Sequence, residues 1–159
     1  MELEFDVHMS TANLYDYSLY HTYRSLSGIL GTAVGVLLLA NFVNSHQILY
    51  LIFGLITVFY LPAALYMNAK KQMLAVPAFR EPIHYRLTES GIEVSQGDVT
   101  QTQEWSAVLK VVSTRKSIIL YTGKAVASIL PRDDMGNKTE AVIKMISANV
   151  EPNRVKIRF

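Results

Sequence analysis

Between Ser25 and Met67 the chain carries no Asp, Glu, Lys or Arg, and no other stretch limits the possible folds so much. A single helix of that length would reach about 65 Å, roughly twice the ~30 Å apolar thickness of a bilayer. The polar cluster Asn44, Ser45, His46 and Gln47 divides it. Two segments remain, residues 26–43 and 48–67, each long enough to span a membrane once and joined by a turn that allows only a helical hairpin. The sequence therefore predicts an integral membrane protein with 1–24 and 68–159 on one side of the bilayer.

Charge sets the expected orientation. Residues 1–24 hold four acids and one base, Arg24, whereas 68–159 hold fourteen bases and nine acids. Arg24 precedes the first span, Lys70 and Lys71 follow the second, and the connecting turn has neither Lys nor Arg. Positive flanks mark the cytoplasmic side, so a multi-pass protein of the cell membrane with both termini cytoplasmic is expected. The acidic 1–24 segment is a poor signal peptide, which makes the first span an anchor. Tyr15, Tyr17, Tyr20, Tyr23 and Tyr66 cluster at the span ends, where amphipathic rings favour the headgroup level.

Ser27, Gly31 and Gly35 fall four residues apart and form a smooth stripe for close helix packing. The second span, with Gly54, is its natural partner, and a homodimer through Gly31 and Gly35 is the alternative. Pro62 removes a backbone donor and bends the second helix. With no ionisable side chain at membrane depth, the hairpin offers no proton relay or ion site.

Outside the membrane the text is mostly β. Leu3, Phe5, Val7 and Met9 alternate with Glu2, Glu4, Asp6 and His8, the pattern of a half-buried strand that needs a partner. Ser10 or Thr11 caps a short helix leading to the first span. Beyond the second span the helix runs on to Pro77, so 68–82 reads as a stalk. From Ile83 a meander follows, with strands near 83–87, 92–94, 100–105, 108–113, 118–122 and 125–130. Asn137 with Glu140 has the spacing of a capping box, and Val142, Ile143, Ile146 and Val150 form one apolar helical face. The tail alternates Arg154, Lys156 and Arg158 with Val155, Ile157 and Phe159, an edge strand with a basic outer side.

The expected fold is a membrane α-helical hairpin plus an α+β domain, an antiparallel β-meander or barrel closed by a C-terminal helix. Its divisions are 1–24, 25–67, 68–82 and 83–159. Strand order of this kind is that of pleckstrin-homology-like (PH-like) domains. At residue level, Leu87-Thr88-Glu89-Ser90-Gly91-Ile92, Glu104-Trp105-Ser106 with Val108, Lys110 and Val111, Leu120-Tyr121 and Leu130-Pro131-Arg132 resemble the YcxB-like bacterial membrane proteins. That resemblance implies two membrane helices ahead of a PH-like cytoplasmic domain. It implies no activity and no catalytic residues. Asp133-Asp134-Met135 departs from the family pattern, in which an aromatic follows the Pro-Arg step.

No catalytic set stands out. The chain has no Cys, which removes thiolate chemistry and disulfides. Its histidines, at 8, 21, 46 and 84, never fall at metal-ligand spacing. Asp133, Asp134 and Glu140 read as a turn and helix start, and no phosphate loop, nucleophile elbow or RNA signature occurs. Neither a cofactor nor a metal is expected, nor nucleic acid as a partner. Trp105 is expected in the domain core. The function that fits is a non-enzymatic module presenting a binding surface to a protein, a peptide or anionic lipid headgroups. Its candidate membrane contacts are Lys70, Lys71, Arg80, Arg154, Lys156 and Arg158. An accessory or immunity subunit of a larger membrane assembly, such as a transporter, is the second reading, with a membrane protein as partner.

Overall fold

The computed structural model describes residues 2–123 and 126–157. Strand β1 (Leu3–Val7) opens the chain, helix α1 (Thr11–Tyr23) follows, and α2 (Leu26–Ser45) and α3 (Ile48–Ala75) form the hairpin. The remainder comprises strands β2 (Ile83–Leu87), β3 (Gly91–Gln96), β4 (Val99–Glu104), β5 (Lys110–Ser113), β6 (Ser117–Tyr121) and β7 (Ala127–Pro131), then α4 (Arg132–Met135), α5 (Thr139–Asn149) and a short β8 (Val155–Lys156). The expected strand start at 125 and the last tail residues, Arg158 and Phe159, lie outside the described residues.

Two helices are long and apolar enough to cross a membrane. In their most apolar stretches only 11% of α2 and 6% of α3 is buried, so neither is covered by the rest of the chain as a core helix would be. At 1.5 Å per residue α2 is about 30 Å long, the thickness of a bilayer core, whereas α3 reaches about 42 Å. The surplus projects from one end. His46, in the left-handed region at φ 54°, closes α2 and turns the chain into α3. Polar side chains in the spans bond to carbonyls of their own helix, Thr32 to Gly28, Asn41 to Leu37 and Thr57 to Phe53, which removes the penalty of unpaired donors in an apolar medium.

The N-terminal strand finds its partner across the hairpin. β1 pairs antiparallel with β2, Leu3 opposite Leu87, Phe5 opposite Tyr85 and Val7 opposite Ile83, and one sheet runs β1-β2-β3-β4. Its inward residues Phe5, Val7, Tyr85, Leu87 and Ile92 meet Val111, Ile118, Leu120 and Leu130 of the second sheet, with Val142, Ile143 and Ile146 of α5 filling the space between. Each fully buried aliphatic side chain of this kind contributes roughly 1.5–3 kcal/mol. On the outward side of β1 and β2, Arg86 pairs with Glu2 and Glu4, and His84 Nδ1 lies 2.7 Å from Asp6. Such exposed pairs fix register more than they add stability.

Several expectations need correction. The second sheet runs β7-β6-β5-β8; the tail forms an edge strand as expected, but β8 pairs parallel with β5, so the sheets are not wholly antiparallel. No closed barrel forms among the described residues, since two separate four-stranded sheets are present. Asn137 does not cap α5. Gly136, at φ +51°, turns the chain into a 3-10 turn that leads straight into the helix, and Thr139 Oγ1 bonds to the Gly136 carbonyl at 2.8 Å.

The segment read as a stalk is also packed at its start. Ala69 of α3 is buried with Leu14 of α1 and Ile129 of β7, and Met73 and Phe79 lie against them. α1 has a definite inner face. Its Tyr17 and Tyr20 cover Val112, Ile119 and Tyr121 on the outer face of the second sheet. That explains β6, Ser117-Ile118-Ile119-Leu120-Tyr121, in which every residue is buried: a strand covered on both faces reads as a continuous apolar run.

Candidate functional site

The junction of α1, α2 and the second sheet concentrates polar and basic groups. Ser25 caps α2, accepting from the Gly28 amide at 3.2 Å and donating to the Thr22 carbonyl at 2.6 Å. A Cβ on Gly28 would stand 2.1 Å from the Thr22 carbonyl oxygen, so glycine is what allows α1 and α2 to meet this closely. Arg24 lies between them, its guanidinium 4.9 Å from the centre of the Tyr20 ring, a cation–π geometry. Tyr17 and His21 stack near Tyr121, with centroids 6.2 and 6.3 Å away. Burial pushes the Tyr121 hydroxyl up to about 12, with Tyr17 and Tyr20 adding to the shift.

Beside this aromatic group a cavity of about 580 Å³ is lined by Tyr20, Arg24, Ser113, Thr114, Arg115, Arg132 and Lys156. Four of its seven lining residues are cationic and none is acidic. Asp16 of α1 is committed to the turn beside the cavity: it accepts from Thr114 Oγ1 at 2.5 Å, and the same hydroxyl accepts from the amides of Lys116 and Ser117. The β5–β6 turn is thereby held rigid and carries Arg115 at the cavity edge.

The six expected surface cations divide. Lys70 and Lys71 are exposed on α3. Arg80 donates to the Leu74 carbonyl at 3.1 Å and so finishes the end of α3. Arg154 is a structural clamp, donating to the carbonyls of Val108 at 3.3 Å and Ser106 at 3.5 Å and pairing with Glu151 at 3.2 Å. Among the described five, Lys156 alone lines the cavity; Arg158 lies outside the described residues. Sequence reasoning missed Arg115 and Arg132 and used Arg24 only as a topology marker. The signal available was the Thr114-Arg115-Lys116 turn, but nothing in the sequence brings that turn to α1.

The small residues also divide. Gly35 and Gly54 lie where the helices touch: a Cβ would meet Val58 Cγ2 and Leu39 Cδ2, each at 2.7 Å. Gly31 faces open space, with nothing within 4 Å of such a Cβ. Ser27 is exposed and its hydroxyl lies 3.1 Å from that of Ser25. Trp105 is 6% exposed within the main core and its ring nitrogen donates to the Thr88 carbonyl at 2.9 Å. Among the described residues no group of His, Asp and Glu is arranged to hold a metal ion.

Residues 87–146 match the family model described as YcxB-like protein. The match runs from the end of β2 into α5 and leaves β1, α1 and the hairpin outside it. No curated protein and no solved structure matches the chain.

Proposed function

We propose that this YcxB-like chain is a non-enzymatic membrane protein that holds a binding module at the cytoplasmic face. In this reading α2 and α3 cross the cell membrane, both termini are cytoplasmic, and the two sheets with α5 form a PH-like module that binds a protein, a peptide or lipid headgroups. The observation that carries it is the contrast along α3. Its first two turns and beyond present Ile48, Leu49, Ile52, Phe53, Ile56 and Phe59 outward, while its far end buries Ala69 against α1 and β7. A helix so divided fits a bilayer at one end and a water-soluble domain at the other. The order of seven strands before α5 supports the PH-like assignment.

The chain has no Cys, so single cysteines report topology directly. With a membrane-impermeant thiol reagent, Gln47→Cys should label in intact cells and Ser90→Cys only after lysis. Reversal of the two would overturn the orientation; protection of both in intact cells would overturn the crossing itself.

Gly31 favours a second reading, an accessory subunit of a larger membrane assembly. Its open position beside Ser27, Ile56 and Tyr60 leaves room for a further helix. Purification in mild detergent separates the two, because a constitutive subunit brings a stoichiometric membrane partner that Gly31→Leu releases.

A further inference from the structure

We infer that the basic cavity between α1 and the β5–β6 turn is a phosphate site, filled by the phosphate of an anionic lipid headgroup. This rests on the hairpin crossing the bilayer. Arg24, Arg115 and Lys156 contribute three cations, and among the described residues none of the three has a carboxylate within ion-pair distance. Uncompensated guanidinium and ammonium groups around one hollow favour an anion of more than one charge, and guanidinium matches phosphate oxygens in shape as well as charge. Tyr20, with Arg24 over its ring, forms part of the same wall.

Position selects the source. Arg24 is two residues before the first residue of α2, which places it at headgroup depth when α2 spans the membrane. Arg115 and Lys156 come from the domain side, so the cavity lies where a headgroup would bridge the bilayer surface to the second sheet. A neighbouring hollow lined by Ser25, Leu109 and Lys110 also includes Tyr20 and Arg24, and Leu109 is exposed; an acyl chain leaving the phosphate would find an apolar contact there. The lipid phosphate that best matches three cations is a phosphomonoester, which carries close to two negative charges at neutral pH.

The test uses the full chain in nanodiscs of phosphatidylcholine, alone or with a tenth of phosphatidate or phosphatidylglycerol, and native mass spectrometry to count retained lipid. Wild type should hold one phosphatidate in preference to phosphatidylglycerol. Arg115→Gln with Lys156→Gln should weaken retention about 25-fold, on the basis of about fivefold for each cation removed. Both side chains are exposed, and unchanged Trp105 emission confirms that the variant is folded. Lys138→Gln with Lys144→Gln, both exposed and outside the cavity, should leave retention as in wild type. Equal losses in the two double variants, or none in either, would overturn the site. Inorganic phosphate at constant ionic strength should not displace the lipid; displacement would overturn the lipid as source and assign the cavity to the free ion. A chain that fails to enter the nanodisc refutes the membrane reading instead, before any lipid is counted.

Discussion

Replacing Leu14 by Ala tests whether the hairpin and the domain are one mechanical unit. Leu14 is 3% exposed and is the α1 residue buried together with Ala69 of α3 and Ile129 of β7. Truncating a buried Leu costs about 2–5 kcal/mol, the spread reflecting how far the site can collapse. Here Met9 and Met73 border it, and flexible methionines fill part of a void, so about 2–3 kcal/mol is expected. At roughly 4 °C per kcal/mol for a unit of this size, Tm should fall by about 10 °C. The assay is thermal unfolding of the full chain in detergent, followed by Trp105 emission. Leu74→Ala, also on α3 but 63% exposed, should shift Tm within about 2 °C, as surface changes do. Ile129→Ala combined with Leu14→Ala should be less than additive, because the two side chains share one cluster. Indistinguishable Tm values for Leu14→Ala and Leu74→Ala would refute the reasoning and restore a loose stalk.

Two further outcomes follow from the geometry. Tyr121 is pushed up to about 12, whereas an unfolded Tyr ionises near 10; between about pH 10 and 12 the unfolded chain has lost a proton that the folded one keeps. The stabilisation is complete below about pH 10 and is lost as pH climbs through that window. Tyr121→Phe should therefore flatten a plot of Tm against pH there, leaving the share due to Tyr17 and Tyr85, whose values burial also raises; identical slopes would contradict this account. Gly35→Leu should destabilise the hairpin by about 1–3 kcal/mol, the cost of overpacking, because Val58 stands 2.7 Å from the added carbon, while Gly31→Leu meets open space and should leave the isolated chain's Tm unchanged. Melting curves that rank the two in the opposite order would rule out the described packing.

What the sequence discloses here is whatever depends on neighbours along the chain. The uncharged run specifies two apolar helices, and Leu3, Phe5 and Val7 specify a strand, because period and length are local quantities. The apolar face of α5 is legible for the same reason. The cover over β6 is not: Ile119 and Tyr121 announce that something lies on the outer face, but α1 meets them through Tyr17 and Tyr20, residues equally at home at a membrane surface. Asn137 and Glu140 have capping spacing, yet the positive φ of Gly136 sends the backbone elsewhere. The cavity is least legible, since Arg24, Arg115 and Lys156 come from three distant segments that only tertiary packing brings together.

In the proposed topology, with α2 and α3 crossing the bilayer, the pairing of β1 with β2 makes the domain outside the membrane sensitive to the number of times the chain passes through it. Leu3–Val7 is synthesised before the hairpin and waits, unpaired, until Ile83–Leu87 leaves the ribosome on the far side of α3. An even number of passages returns the chain to the leaflet where that strand waits; an odd number leaves the two halves of one sheet separated by lipid, with Phe5 and Val7 exposed and the edge of β2 bare. An insertion error of that parity would surface as an incomplete domain with an open strand edge, the kind of surface that chaperones and proteases engage. In that topology a strand of five residues lets folding on one side of the membrane audit an event inside it.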